Sequence, residues 1–325
     1  MDLRAPIAFR PVYQTLVWGG RRLLQWRGDL PPGPIGESWD LADHERGMSV
    51  VAEGPLAGLT LRELVAEAGP ELVGAGFRGD TFPLMVKLID AADRLSVQVH
   101  PDDATARRLG VGRNGKTECW MILADGGALF QGTHPGVNRE GFERALAERT
   151  LASTLNRFEG RAGDVFFIEA RTVHALGEGC LLYEIQQTSD ITFRVYDWDR
   201  MGLDGKPRPL HVAETLLTID FSRTGFGPLR PAWQQDGQVA SRPLVTCPHF
   251  VVEQFRVSAG TTLDQPLRDT CAAITCIEGQ GMLASQGGSL PLGPMQTALL
   301  PAAARSWKAR SDTGRLDLLV ASPRF

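Results

Sequence analysis

Four residues of the chain could together hold a divalent cation: Gln98, His100, Glu118 and His174. Gln98 and His100 lie in residues 95–103, LSVQVHPDD. There Leu95, Val97 and Val99 alternate with Ser96, Gln98 and His100, so a strand would send the glutamine and the histidine to one side. Pro101 then ends the ladder by removing a donor. The plain alternative is a half-exposed strand with its polar face in water. Glu118 falls in residues 116–123, KTECWMIL, where Lys116, Glu118 and Trp120 share a strand face. His174 follows a third strand, in a turn closed by Gly177 and Gly179. Two imidazoles and a carboxylate suit a borderline cation such as Zn2+ and leave positions open for a substrate. The same three residues also make the two-histidine, one-carboxylate set of non-haem iron oxygenases. Two neighbours speak against iron: Gln98 would add a neutral fourth ligand, and Lys116 stands one pleat repeat from Glu118. A cation beside Lys116 should lower its pKa towards a range useful for proton transfer. Without a cation, Lys116 reads as a surface salt bridge to Glu118.

Cationic side chains add a second element. Arg194 sits opposite Phe193 and Val195 on a strand reading ITFRVY, and its fixed charge could stabilise an oxyanion; an ion pair with Asp190 or Asp197 is the alternative. Lys87 is the single charge in the buried strand pattern FPLMVKLID, either snorkelling at a strand end or reaching a bound anion. Lys87, Arg194 and Arg200 together would suit a phosphorylated substrate. No Gly-rich cradle precedes a helix, so ATP binding is not indicated.

The elements that must position these residues are mostly short strands broken by Gly and Pro, which points to a β-sandwich or barrel. Helices are expected over residues 60–68, where Thr60 and Glu63 form a capping-box pattern, after the cap Asp102, over residues 138–149, and on the face Val212, Leu216 and Ile219. Trp18-Gly19-Gly20 and Gly36-Glu37-Ser38-Trp39 read as tight turns over packed rings or as a pocket edge. Residues 222–243 read as a linker. The chain of 325 residues carries a net charge of -4, which argues against a general nucleic-acid binder. No run approaches a membrane span and the N-terminus has no signal-peptide core, so the expected location is the cytoplasm. The cysteines, five in all and without a CxxC spacing, fit neither a disulfide framework nor a thiolate zinc site.

LSVQVHPDD, GKTECWMIL, TVHALGEG and YEIQQTSDITFRVYDWDR, in this order and spacing, resemble the type I phosphomannose isomerases, in particular the short bacterial form. WGG, GESW, FPLMVKLIDA and GKPRPLHVAE fit as well. The resemblance implies cupin-type (jelly-roll) β-sandwich domains and a zinc-dependent aldose–ketose isomerase that interconverts mannose 6-phosphate and fructose 6-phosphate. It implies one Zn2+ on Gln98, His100, Glu118 and His174. Arg194 and Lys116 match catalytic positions; Trp18, Glu37, Lys87, Asp190 and Arg200 match positions that bind substrate. The helical insertion of larger members is absent, because too few residues separate TECW from TVHALG. The expected division is a metal-binding catalytic region, 1–235, and a C-terminal cupin-like domain, 236–325, that lacks a second ligand set and is structural. The expected partner is a small sugar phosphate, with no nucleic acid, membrane or protein partner indicated. An Fe(II) cupin oxygenase and a non-catalytic cupin sugar-binding protein are the alternatives.

Overall fold

The structure is a computed structural model and describes residues 2–325. The fold is mainly β, with α-helices at Leu61–Val73, Asp103–Leu109, Arg139–Ala147 and Val212–Thr218 among the described residues. The helix starts follow the caps written in the sequence. Thr60 Oγ1 accepts from the Glu63 amide while Glu63 reaches back to the Thr60 amide, and the Asp102 and Asn138 side chains each accept from the amide three residues on.

The chain forms two compact units. One takes the segment up to Val12, Trp39–Val86 and Arg230–Phe325; the other takes Tyr13–Ser38 and Lys87–Leu229. A split into 1–235 and 236–325 divides the chain once, whereas these units exchange the chain four times. Within residues 222–243, the Gly- and Gln-rich stretch read as a linker, strands Gln234–Asp236 and Val239–Thr246 form a hairpin around Gly237, whose φ is +55°. Exposed edge strands carry polar residues, so composition alone does not separate them from a linker.

The unit containing Lys87–Leu229 is built on two antiparallel sheets. The order in the first is Leu155–Glu159, Ala128–Thr133, His174–Leu176, Val97–Val99, Phe193–Tyr196. The second runs Val165–Ile168, Glu118–Ile122, Leu181–Gln187, Leu84–Asp90, Ile35–Leu41, Val12–Gly20. The core between them joins Trp18, Ile89, Trp120 and Phe166 to Leu129 and Leu176. On the far side of the first sheet, Val97 and Val99 pack with Phe142 and Ile219, beside Val212 and Leu216 of the last helix. This sends Gln98 the other way, as the alternation requires. Leu95 departs from it: the strand begins only at Val97, and Leu95 packs in the inner core.

In the other unit, one sheet orders Gln234–Asp236, Val239–Thr246, Phe250–Val257, Leu316–Pro323, Ala272–Glu278, Thr297–Leu300, Ile7–Arg10 and Val50–Val51. A second orders Thr262–Pro266, Ser306–Arg310, Gly281–Ser285 and Gly288–Leu292. Phe255, Leu318, Leu283 and Trp307 are part of the apolar core of this double sheet.

Candidate metal centre

Register places the site. Across the first sheet of the Lys87–Leu229 unit, His174 pairs with Gln98 and Gln98 with Arg194, so these three residues stand in one row on adjacent strands. His174 is thus in a strand, His174–Leu176, and not in a glycine-bounded turn. The strand is only three residues long and its glycines lie just beyond it, which makes it look like a turn in the sequence; on its other side all three residues pair with Ala128–Thr133. In the second sheet Glu118 pairs with Gln186 and Trp120 with Glu184. His100 follows the Gln98 strand directly.

His100, Glu118 and His174 converge: one ligand atom from each lies within 4.8 Å of the others, and all three residues are buried. The Nε2 atoms of His100 and His174 each stand 3.2 Å from Glu118 Oε1. The Nδ1 atoms point away, to the Ile191 carbonyl at 2.7 Å and the Thr172 carbonyl at 2.9 Å. A carbonyl only accepts, so each Nδ1 carries a proton and each ring turns its Nε2 to the carboxylate. Burial, then the positive charge of Lys116, pull the His100 pKa down to about 4, so this ring is neutral near pH 7. Two imidazole nitrogens and a carboxylate turned towards one another in a water-poor site form a set of electron-pair donors that a metal cation would complete, with the Lys116 ammonium and the Gln98 amide nitrogen facing them from the protein. Fixing Nδ1 on backbone carbonyls is also how metal-binding histidines are oriented. The donor set therefore fits a divalent metal ion. The Gln98 amide reaches the same place, its nitrogen 3.2 Å from His174 Nε2 and its oxygen accepting from Ser96 Oγ at 3.2 Å; a half-turn of the amide would present the oxygen instead.

Lys116 is buried rather than on the surface, with Nζ 2.9 Å from Glu118 Oε2 and 3.3 Å from His100 Nε2. Burial pulls its pKa down, but Glu118, Glu184 and Glu37 outweigh burial and hold it above the ordinary lysine value. Three carboxylates thus surround the ammonium. Burial alone would raise the Glu118 pKa, yet Lys116 and His100 hold it well below the usual carboxylate range.

Lys87 does not snorkel. It is 3 % exposed, with Nζ 3.4 Å from Glu37 Oε2 and 3.5 Å from Glu184 Oε1. Glu184 also accepts from Trp120 Nε1 at 2.8 Å. Burial, then the neighbouring Glu118 charge, push the Glu184 pKa up to about 7. Glu184 was not singled out in the sequence, although Leu182, Glu184 and Gln186 alternate on one strand face.

Arg194 forms no ion pair with a carboxylate among the described residues. Its Nε donates to Ser96 Oγ at 3.2 Å and its Nη1 to the Pro209 carbonyl at 3.1 Å. Asp197 instead pairs with Arg200 at 2.8 Å and Arg208 at 2.5 Å, and Arg200 also reaches Asp93 at 3.0 Å. Ser96 and Arg208 are further residues that spacing did not bring forward. Asp190 precedes Ile191, whose carbonyl orients His100. Trp18 is 4 % exposed and sits in the core, and a Cβ on Gly36 would stand 2.6 Å from its ring. The Trp–Gly pairing thus reflects close packing between strands.

Comparison with known proteins agrees with this geometry. Residues 7–125 match the family model described as "Phosphomannose isomerase type I, catalytic domain". The chain is 33% identical over 309 residues to mannose-6-phosphate isomerase of Streptococcus mutans, covering 94% of this chain and 96% of the relative. It is 35% identical over 301 residues to mannose-6-phosphate isomerase ManA of Bacillus subtilis, covering 91% and 93%. Among solved structures, the mannose 6-phosphate isomerase of Bacillus subtilis superposes with a TM-score of 0.89 at 31% identity, over 98% of this chain and 99% of that one. A chain that shares this sequence similarity over nearly its whole length, this double-sheet fold and a buried His–Glu–His group belongs to the type I phosphomannose isomerases, in their short bacterial form.

Proposed function

We propose that the chain interconverts mannose 6-phosphate and fructose 6-phosphate, with one Zn2+ on Gln98, His100, Glu118 and His174. The observation that carries this reading is the convergence of two Nε2 lone pairs on the Glu118 carboxylate beside the buried Lys116. The relatives named as mannose-6-phosphate isomerases supply the substrate. Two imidazoles, a carboxylate and an amide oxygen are a donor set suited to zinc.

Moving a carbonyl between C1 and C2 means taking a proton from one carbon and returning it to the other through a cis-enediol. A bound zinc would supply Lewis acidity towards the two substrate oxygens, which makes that proton acidic. The protein's own groups do the rest. Glu184, poised at about pH 7, is the carboxyl able to take up and return a proton at neutral pH. Lys116, held as an ammonium by its carboxylates, acts as a donor and a fixed positive charge. Arg194, with no competing carboxylate, stabilises the charge that develops on the enediol oxygens. Lys87 and Arg200 bind the phosphate dianion, whose remote binding orients the sugar. Glu37 supports this pocket by holding Lys87, Trp18 by packing on Gly36 beside Glu37, and Asp190 by its place next to Ile191.

A coupled assay on mannose 6-phosphate tests the reading. Isomerisation should appear, vanish with a chelator and return with zinc. Turnover indifferent to chelator, or none in a metal-replete sample, would overturn it.

A further inference from the structure

The unit built on Arg230–Phe325 has a cavity of its own, about 490 Å³, which the isomerase reading does not use. Its origin is a break in pattern. On strand Phe250–Val257 the inward positions are Val257, Phe255, Glu253 and Val251; the first two are core residues, and the next is a carboxylate. On the paired strand Leu316–Pro323 the inward series Leu316, Leu318, Val320 ends in Ser322. Val251 is opposite Ser322 and Glu253 opposite Val320. Both strands thus change from apolar to polar at the same end, and there the core opens. Thr246, Gln265 and Thr270 line the same space, over a floor that includes Phe255 and Trp307.

An inward carboxylate in a sandwich core is unfavourable unless it is paired or wetted. Glu253 has a partner, Arg268 at 2.9 Å, but that arginine side chain is 70% exposed and Glu253 itself 25%, so the pair contributes little to stability. A leucine at this position would extend the core, which makes stability a poor reason for the glutamate.

We infer that this cavity is a second binding site, for an uncharged polyol the size of a single sugar ring. A cavity of this volume is in the range of small-molecule sites. Its lining offers an acceptor-only carboxylate, an amide and three hydroxyls, a mixture that matches groups which both donate and accept. The aromatic floor fits the C–H face of a ring. An anion would meet Glu253 inside the cavity and a cation would meet Arg268, while the remaining charged wall residue, Arg324, is engaged with the Cys247 carbonyl at 3.1 Å.

The test uses saturation-transfer NMR on the full metal-loaded chain with methyl α-D-mannopyranoside, which cannot open its ring. Transfer is expected for the unaltered chain and for Arg194→Ala, because the cavity is not the isomerase site. Glu253→Leu should weaken binding about tenfold or more, as expected for loss of a charged hydrogen-bond acceptor. In the same variant kcat and KM for mannose 6-phosphate stay unchanged, and the thermal midpoint is equal or higher. Ser322→Val, a smaller change in the same wall, should also weaken binding and covers the case in which Glu253→Leu does not fold. No transfer to the unaltered chain, or undiminished transfer to the variants that fold, overturns the inference. Stronger transfer to D-gluconate than to the glycoside in Arg194→Ala overturns the assignment to an uncharged ligand. The binding and melting outcomes do not depend on whether the isomerase reading holds; only the kcat and KM comparison does.

Discussion

Glu118 is where the chemistry of single residues is concentrated: it lies within 3.2 Å of both imidazoles and 2.9 Å of Lys116. Glu118→Gln and His174→Ala should each lose bound metal and activity together, read by elemental analysis beside the coupled assay. Arg194→Ala should keep its metal and lose about 10²–10³ in kcat, the usual cost of removing a group that stabilises an oxyanion. Loss of metal in that variant would place Arg194 in the wrong role. Glu184→Gln should likewise retain metal, with kcat reduced and the neutral limb of the pH profile removed; an unaltered profile would move proton transfer elsewhere. At this scale the faces of Gln98 and Glu118 were legible because alternation assigns a strand residue to a face. Glu184 was not, because its meaning comes from Trp120 opposite it and from Lys87 on the strand beside it. Cross-strand register is not written in local sequence.

Elements were legible where a cap or a run of apolar residues marks them. Thr60→Ala removes the capping box of Leu61–Val73 and should cost about 1 kcal/mol in a denaturant titration. The turn that follows strand Phe193–Tyr196 rests on Asp197, which was not predicted to bind two arginines at once. Burial would raise the Asp197 pKa, but hydrogen bonds from Arg208 and Arg200 win and hold it below 3.8. The native carboxylate therefore stays ionised while the unfolded one takes up a proton. This contribution to stability is present above 3.8 and is lost as pH falls further. Asp197→Asn should flatten the acid limb of a melting-temperature curve; an unchanged limb would show that other carboxylates set it. Short elements escaped the sequence reading. The strand His174–Leu176 has three residues, too few to show a period, and only its pairing with Ala128–Thr133 on one side and the Gln98 strand on the other makes it a strand.

For the molecule as a whole, the cation should behave as part of the fold. Glu118 and the two Nε2 atoms are brought together only in the native state, so zinc should raise the melting temperature of the stripped chain in a concentration-dependent way. Glu118→Gln should abolish that rise; an equal rise in both proteins would place the stabilising metal at another site. The mainly β, double-sheet class was legible from composition and motif order. The exchange of chain between the two units was not, because no local signal marks which strands will pair across hundreds of residues. That exchange has a consequence for how the protein is made. Ile7–Arg10 pairs with Thr297–Leu300 on one side and Val50–Val51 on the other. On a ribosome adding about 5–20 residues per second, the first strand waits roughly 15–60 s for its later neighbour. During that interval one edge of an apolar strand is open to other nascent chains, and chaperone demand should fall on the N-terminal segment first.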